Sequence, residues 1–201
     1  AHVGDLWRDD WIDAFVYKSA GDVLSEHAIA SRATDLFFYP TCFLYRHAIE
    51  IILKELIRET ESLIRLYVKC GSLDEQFQKD VDQINPDLEK CHSIERLLKQ
   101  FEERIKLIDD QILPGNIRAT LIEIHNIDPS GQRFRYARVR GQDDKSSFPD
   151  DQHYDIKRIG ALLGETIDFL INGVGGWLDA QIDNANDYLK CLNDYVDENG
   201  S

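Results

Sequence analysis

One long segment constrains the fold of this chain more than any other, because its apolar residues recur every three or four positions. It runs from Pro40 to about Val68 and stops before Gly71. Pro40 suits the first turn of a helix, where its missing N–H costs no hydrogen bond. Two apolar stripes follow the segment: Tyr45, Ile49, Ile52, Leu53, Leu56, Leu63, Ile64 and Tyr67 in one, and Leu44, Ala48 and Ile51 in the other. A helix that is apolar over most of its circumference belongs at the centre of a helical bundle.

Helical spacing dominates the rest of the chain as well, and strand-like alternation is nearly absent. Besides the long helix we expect an N-terminal helical region from about Asp5 to Ala33 divided at Gly21, a short helix near 74–83, a helix capped by Ser93, a helix beginning near Ile117, and a last helical region from Tyr154 that breaks or kinks at Gly173, Gly175 and Gly176. The expected fold is all-α, an up-and-down bundle of about five to seven helices with one irregular loop or small hairpin around residues 127–152.

Length, charge and cysteine usage narrow the class of protein. The chain has 201 residues, 43% of them hydrophobic, so one domain over residues 1–201 is expected to fold by burial alone. The net charge of −14 opposes nonspecific adhesion to DNA or to anionic membranes. Apolar stretches fall short of the ~20 residues that a membrane span needs. Scattered cysteines and an N-terminus unlike a signal segment predict reduced thiols in a cytoplasmic protein.

A line of polar side chains follows the long helix at three- and four-residue spacing and contains Arg46, His47, Glu50 and Lys54. One interpretation is a solvated ladder of ion pairs. The apolar stripes favour a second interpretation, in which these groups form a partly buried polar network that fixes the bundle and the loop from Asp128 to Tyr136. A third role, ligand binding, remains open for the same residues.

The segment QRFRYARVR (132–140) concentrates positive charge in an otherwise acidic chain. Its arginines, Arg133, Arg135, Arg138 and Arg140, alternate with Phe134 and Tyr136. Arginine and aromatic side chains together bind single-stranded RNA through phosphate pairing and base stacking. The alternative is that the arginines neutralise nearby carboxylates such as Asp128 while the aromatic rings plug the bundle.

Three stretches together resemble uncharacterised bacterial members of the HEPN superfamily: FLYRHAIEIILKELI (43–57), the helix opening His92-Ser93-Ile94, and IHNIDPSGQRFRYARVRGQ (124–142). The resemblance implies a helical bundle that forms a homodimer. In active members it also implies a metal-independent ribonuclease site made of an arginine and a histidine with four to six residues between them. Only Arg118 and His125 fit that spacing here, with Ala119 where the family has a polar residue.

The chemistry of Arg118 and His125 suits RNA cleavage. A histidine moves the proton of a 2′-hydroxyl, and a guanidinium stabilises charge that develops on the phosphate. The alternative is a surface arginine and a histidine at the negative end of a helix. The resemblance therefore leaves two functions: an RNA-cleaving or RNA-binding toxin or defence component with a cognate antitoxin, or a catalytically inactive module that binds a regulatory protein or ligand.

Metal and cofactor motifs are weak in this sequence. Glu89 and His92 have the three-residue spacing of di-iron bundles, but such sites need a second pair of this kind and further glutamates. Phosphate-binding glycine loops and zinc-hydrolase motifs are missing. We expect neither a metal nor a cofactor.

Overall fold

The computed structural model describes residues 9–84, 88–109, 113–138, 146–148 and 151–199. In these ranges the chain forms α1 (Asp10–Ser31), α2 (Thr34–Lys69), α3 (Glu75–Ile84), a 3-10 turn (Leu88–Lys90), α4 (Ile94–Ile105), α5 (Gly115–Ile127), α6 (Ile156–Asp168), a π-helical turn (Phe169–Gly175) and α7 (Gly176–Asn199). An isolated antiparallel bridge between Arg138 and Ser146 is the extent of β pairing recorded in that part of the chain. The all-α bundle expected from the sequence is confirmed.

The long helix α2 lies at the centre of the bundle, as its apolar stripes predict. It packs against α1, α3, α4, α6 and α7. Side chains from the middle of α2, such as Ile49, Ile52, Leu53 and Leu56, have no exposed surface. Because neighbours cover several sides of α2, polar groups on its remaining face are enclosed as well.

Two boundaries differ from the prediction. The N-terminal region is one helix, α1, and not two, because Gly21 serves close packing: a Cβ there would lie 3.1 Å from the Tyr45 ring. Helix α2 begins at Thr34, so Pro40 lies inside the helix and not in its first turn. Because Pro40 has no N–H, the carbonyl of Leu36 lacks its usual helical hydrogen bond. Pro40 and Leu36 are both exposed, so water can reach that carbonyl. Residues 5–8 of the expected first helix lie outside the described ranges.

The last helical region follows one uninterrupted path from α6 to α7. Instead of a break, the glycines near 173–176 fall at a π-helical turn, which inserts an extra residue into the helix. Gly175 is required for packing, because a Cβ there would lie 2.8 Å from the Trp11 ring. None of the described helices combines the length and apolarity needed to cross a bilayer.

The irregular segment after α5 lies across the face of α2. Phe134 is 5% exposed and contacts the rings of Phe38 and Phe148. One side of the segment therefore plugs the bundle, and its neighbouring side chains are directed outward.

Candidate functional site

The polar line on α2 is largely buried. Arg46, Glu50 and Lys54 are 3%, 5% and 8% exposed. Glu50 accepts from both cations: Arg46 Nη1 lies 3.2 Å from Oε2, and Lys54 Nζ lies 3.0 Å from Oε1. Charged groups are costly to bury unless they are paired and hydrogen-bonded. The three side chains satisfy that condition together.

The Arg46 guanidinium connects three parts of the chain. Its Nη2 donates to the carbonyl of His92 at 2.5 Å, and its Nε donates to the carbonyl of Asp128 at 3.2 Å. The first acceptor precedes α4, and the second follows α5. Because one planar group bonds to both carbonyls, it fixes the two segments beside each other on α2.

Asp128 organises the start of the loop after α5. It is fully buried, and its Oδ1 accepts from the backbone N–H groups of Gln132 and Arg133 at 2.9 and 3.0 Å. Its Oδ2 lies 3.5 Å from Arg46 Nε. Gly131 closes the turn with φ of 73°, a conformation that favours glycine. A Cβ on Gly131 would lie 2.8 Å from Arg46 Nη1, so the loop backbone packs directly on the guanidinium.

His47 lies outside the hydrogen-bonded network. Its half-buried ring packs edge-on against Tyr17 and stacks on Phe43. Burial lowers the pKa of His47; Glu50 acts in the opposite direction, and Lys54, Arg46 and Arg135 lower it further. The lowered pKa of His47 therefore reflects its burial first and the three neighbouring cations second.

The arginine-rich loop presents its charged side chains to solvent. Arg133, Arg135, Tyr136 and Arg138 are exposed. The Arg135 guanidinium lies 5.3 Å from the centre of the Tyr136 ring and 5.9 Å from that of Phe43. Arg133 donates to the Ile127 carbonyl at 3.0 Å and lies over the Phe148 ring. Arg140 lies outside the described residues.

Asp128, one of the carboxylates expected to neutralise this loop, faces Arg46 instead. Its second oxygen caps the backbone of the loop. The ring contacts of Arg133 and Arg135 therefore leave their guanidinium groups at the surface, in an arrangement that suits an anionic ligand with flat groups.

Arg118 and His125 both face α4. Arg118 Nε lies 2.8 Å from Glu102 Oε1, and His125 Nε2 lies 3.2 Å from Glu95 Oε2. Their positions are about two turns, or ~10 Å, apart along α5. The side chain of Arg118 is 53% exposed, whereas that of His125 is only 12% exposed. Each residue that the resemblance assigns to catalysis is thus engaged by a carboxylate of the same chain.

A groove brings Arg118 and Arg133 together. It has a cavity volume of about 530 Å³ and lies between α5 and the segment before α6. Glu123, Asn126, Gln152 and Tyr154 also line it, together with apolar side chains of α5. His125 is not among its lining residues, so the groove joins the predicted arginines without the predicted histidine.

The sequence suggested His92 for a weak metal motif with Glu89 and gave no sign of its contact with Glu50. Its ring Nδ1 lies 2.8 Å from Glu50 Oε1. The two residues are 42 positions apart, so no local spacing could pair them. Glu89, the partner considered for a metal site, instead places its carboxylate on Arg58. No group of three His, Cys, Asp or Glu side chains suited to a metal occurs among the described residues.

Comparison with known families, with curated proteins and with solved structures finds no match for this chain. The functional argument therefore depends on the geometry of its own side chains.

Proposed function

We propose that this protein is a HEPN-like module that binds single-stranded RNA through the loop from Arg133 to Arg138. The supporting observation is that arginine and tyrosine side chains are exposed on a loop whose backbone is fixed to the bundle by buried Arg46 and Asp128. A loop held in this way loses little conformational freedom on binding. Arginines pair with phosphates, and the Tyr136 ring offers a surface on which a base stacks.

The groove beside α5 extends this surface. Arg118 and Arg133 outnumber the one carboxylate among the described residues of its lining, that of Glu123. Tyr154 gives the groove an aromatic wall, and its side-chain amides offer donors and acceptors for base edges. Its volume of about 530 Å³ falls within the usual size of a small-ligand site. We assign it one nucleotide of the bound strand.

The net negative charge of the chain limits which nucleic acids it can bind. With a net charge of −14, long-range attraction to a polyanion is unfavourable, so affinity must come from this surface alone. Duplex recognition relies on extended phosphate contacts, whereas single-strand recognition adds stacking. Because this acidic chain has one small positive surface with an aromatic ring, it favours a short single-stranded RNA over a duplex.

The surroundings of Arg118 and His125 argue against the catalytic role that the resemblance implies for them. Glu102 and Glu95 engage the two side chains, and His125 is nearly buried. These contacts favour the inactive alternative for this particular pair of residues. We therefore propose that the protein binds RNA and that Arg118 and His125 do not cleave it. From the resemblance we also propose a toxin or defence role with a cognate antitoxin.

A homodimer belongs to the same proposal. Apolar residues are exposed along one face of α1, namely Ile12, Phe15, Val16 and Val23. Exposed apolar stripes of this kind mark protein interfaces. A mass in light scattering near 23.2 kDa at all concentrations would remove the dimer, whereas a dimer that Val23→Glu dissociates supports it.

The RNA proposal is tested by fluorescence anisotropy with a labelled single-stranded RNA, a matched DNA strand and the RNA duplex. We expect Arg135→Ala and Tyr136→Ala each to weaken binding about tenfold, since stacking on an aromatic ring contributes ~1–3 kcal/mol per base. Lys190→Ala, which removes a positive charge from exposed α7, is the control. Absence of binding, or equal losses in the control, contradicts the proposal.

A further inference from the structure

A small aromatic cavity lies where the start of α2 meets the segment before α6. Its volume is about 180 Å³. Four of the side chains that line it are aromatic, namely Phe38, Tyr39, Phe148 and Tyr154. Sites for drug-sized ligands begin at roughly 300 Å³, so this aromatic cavity accommodates only a compact group.

The planes of the four rings turn from one ring to the next. Tyr154 stacks on Phe38, with ring centres 4.9 Å apart and planes 14° from parallel. Tyr39 stands at 75° to Phe38, and the Phe148 ring lies 5.1 Å from that of Tyr39 at 45°. A group in the cavity therefore meets aromatic surface from more than one direction. Aromatic rings carry negative charge on their faces, so this surface attracts a cation.

The charged group at the cavity is a carboxylate. Asp35 is the one charged side chain among the described residues that line it. Asp35 is exposed, and its carboxylate has no hydrogen bond or ion pair within the described part of the chain. It lies in the first turn of α2, where it offsets the positive end of the helix dipole that would otherwise favour an anion. The net charge of −14 adds long-range attraction for a cation.

The two neighbouring cavities have the opposite character. Arg133 lines both the groove beside α5 and a third cavity, of about 300 Å³, along the arginine-rich loop, but it does not line the aromatic cavity. The Arg133 guanidinium lies 5.9 Å from the centre of the Phe148 ring, so one ring of the cluster already attracts a cation of the same chain. Anions are therefore expected beside Arg133, and a cation is expected beside Asp35.

We propose that the aromatic cavity binds a methylated ammonium head group, of the kind that choline and trimethyllysine carry. The methyl groups pack on the aromatic rings, and Asp35 faces the positive charge. Aromatic cages recognise quaternary ammonium in this way. A primary ammonium is a strongly hydrated point charge, so its entry into an aromatic cavity is less favourable. Binding of this head group does not require RNA.

The test is a proton NMR titration with choline chloride, at constant ionic strength against sodium chloride. Protons held over aromatic rings shift upfield, so the N-methyl line of choline reports contact with the rings as well as affinity. The comparison ligand is the uncharged choline analogue in which carbon replaces the nitrogen. Ammonium chloride and inorganic phosphate are the ionic controls. A peptide with trimethyllysine, compared with its unmodified version, distinguishes a protein partner from a small molecule.

The variants remove the charge or one ring of the cavity. They are Asp35→Asn and Tyr39→Leu, both at exposed positions where the fold tolerates substitution. Asp194→Asn and Tyr188→Leu, on the exposed side of α7, are the matched controls. Thermal melts of all four proteins separate loss of binding from loss of fold.

We expect choline or the trimethyllysine peptide to bind, with an upfield shift of the methyl line, and the uncharged analogue to bind about tenfold more weakly than choline or worse. Asp35→Asn and Tyr39→Leu should each raise Kd about threefold, the effect of one exposed ion pair or one cation–π contact. The α7 variants should leave Kd unchanged. Absence of binding by both methylated ligands, equal affinity for the uncharged analogue or for ammonium, competition by phosphate, or equal losses in the α7 variants overturns the proposal.

Discussion

Replacing Gly131 with alanine tests whether the buried Arg46 guanidinium holds the arginine-rich loop in place. Gly131 has φ of 73°, and an added Cβ would lie 2.8 Å from Arg46 Nη1 and 3.1 Å from its Cζ. Gly71, after α2, provides a matched control. Its φ is 71°, but nothing lies within 4 Å of an added Cβ. The two substitutions share backbone strain and differ in the clash.

This difference sets the expected loss in the free energy of unfolding for each variant. An alanine in the left-handed region costs ~1–2 kcal/mol, partly offset by the lower entropy of the unfolded chain, so Gly71→Ala should cost ~1 kcal/mol. At Gly131 the guanidinium must move as well. The end of an arginine is normally flexible, but this one is buried and donates to Glu50, His92 and Asp128. Weakening those charge-assisted bonds adds ~2 kcal/mol, for a total near ~3 kcal/mol.

The assay is thermal unfolding followed by circular dichroism. For a chain of this size each 1 kcal/mol lowers Tm by ~2–4 °C, so we expect a loss of ~3 °C for Gly71→Ala and ~10 °C for Gly131→Ala. In an Arg46→Met background the extra loss at Gly131 should disappear, because the obstructing group is gone. Equal losses at the two glycines, or an unchanged Gly131 effect without Arg46, would refute this account of the loop.

Further predictions concern the same network, pH and salt. Arg46→Met leaves the buried Asp128 without its cation and Glu50 with Lys54 as its remaining cation, so urea unfolding should show a loss of ~3–5 kcal/mol; Lys99→Met, which breaks an exposed pair with Glu103, should cost ~0.5 kcal/mol or less. Burial raises the pKa of Glu59 from 4.5 to about 7, even though Trp11 donates to it. Because the folded state then holds the proton more tightly than the unfolded state, the free energy of unfolding should fall as pH rises from about 4.5 to about 7. Glu59→Gln should remove ~1 kcal/mol of that fall after allowance for partial exposure, and an identical pH profile in the variant would contradict the assignment. For RNA binding, Arg135→Ala should reduce the slope of log affinity against log salt by ~0.7, the value for one phosphate contact on a single strand, and an unchanged slope would exclude that contact.

Local features of the fold were predictable because their causes are close in sequence. The apolar spacing of α2 identified the central helix, and Ser93 was recognisable as the cap of α4, where its hydroxyl accepts from Arg96 N. The predicted helix boundaries were wrong where a residue that looked like a local break is explained by the packing or extent of the whole helix. Gly21 looked like a bend but makes room for Tyr45, and Pro40 looked like a helix start although the helix begins at Thr34.

By itself, the sequence determined that this chain forms helices, that one of them is central, and that arginine and aromatic residues concentrate in one loop. Tertiary structure alone decided which of these groups meet. Arg46 and Asp128 are 82 positions apart and His92 and Glu50 are 42 apart, so no periodicity relates them. Likewise, only the packing of α4 on α5 places Glu102 and Glu95 against Arg118 and His125. Helical spacing reports contacts within a few residues, whereas a site is made by contacts between helices.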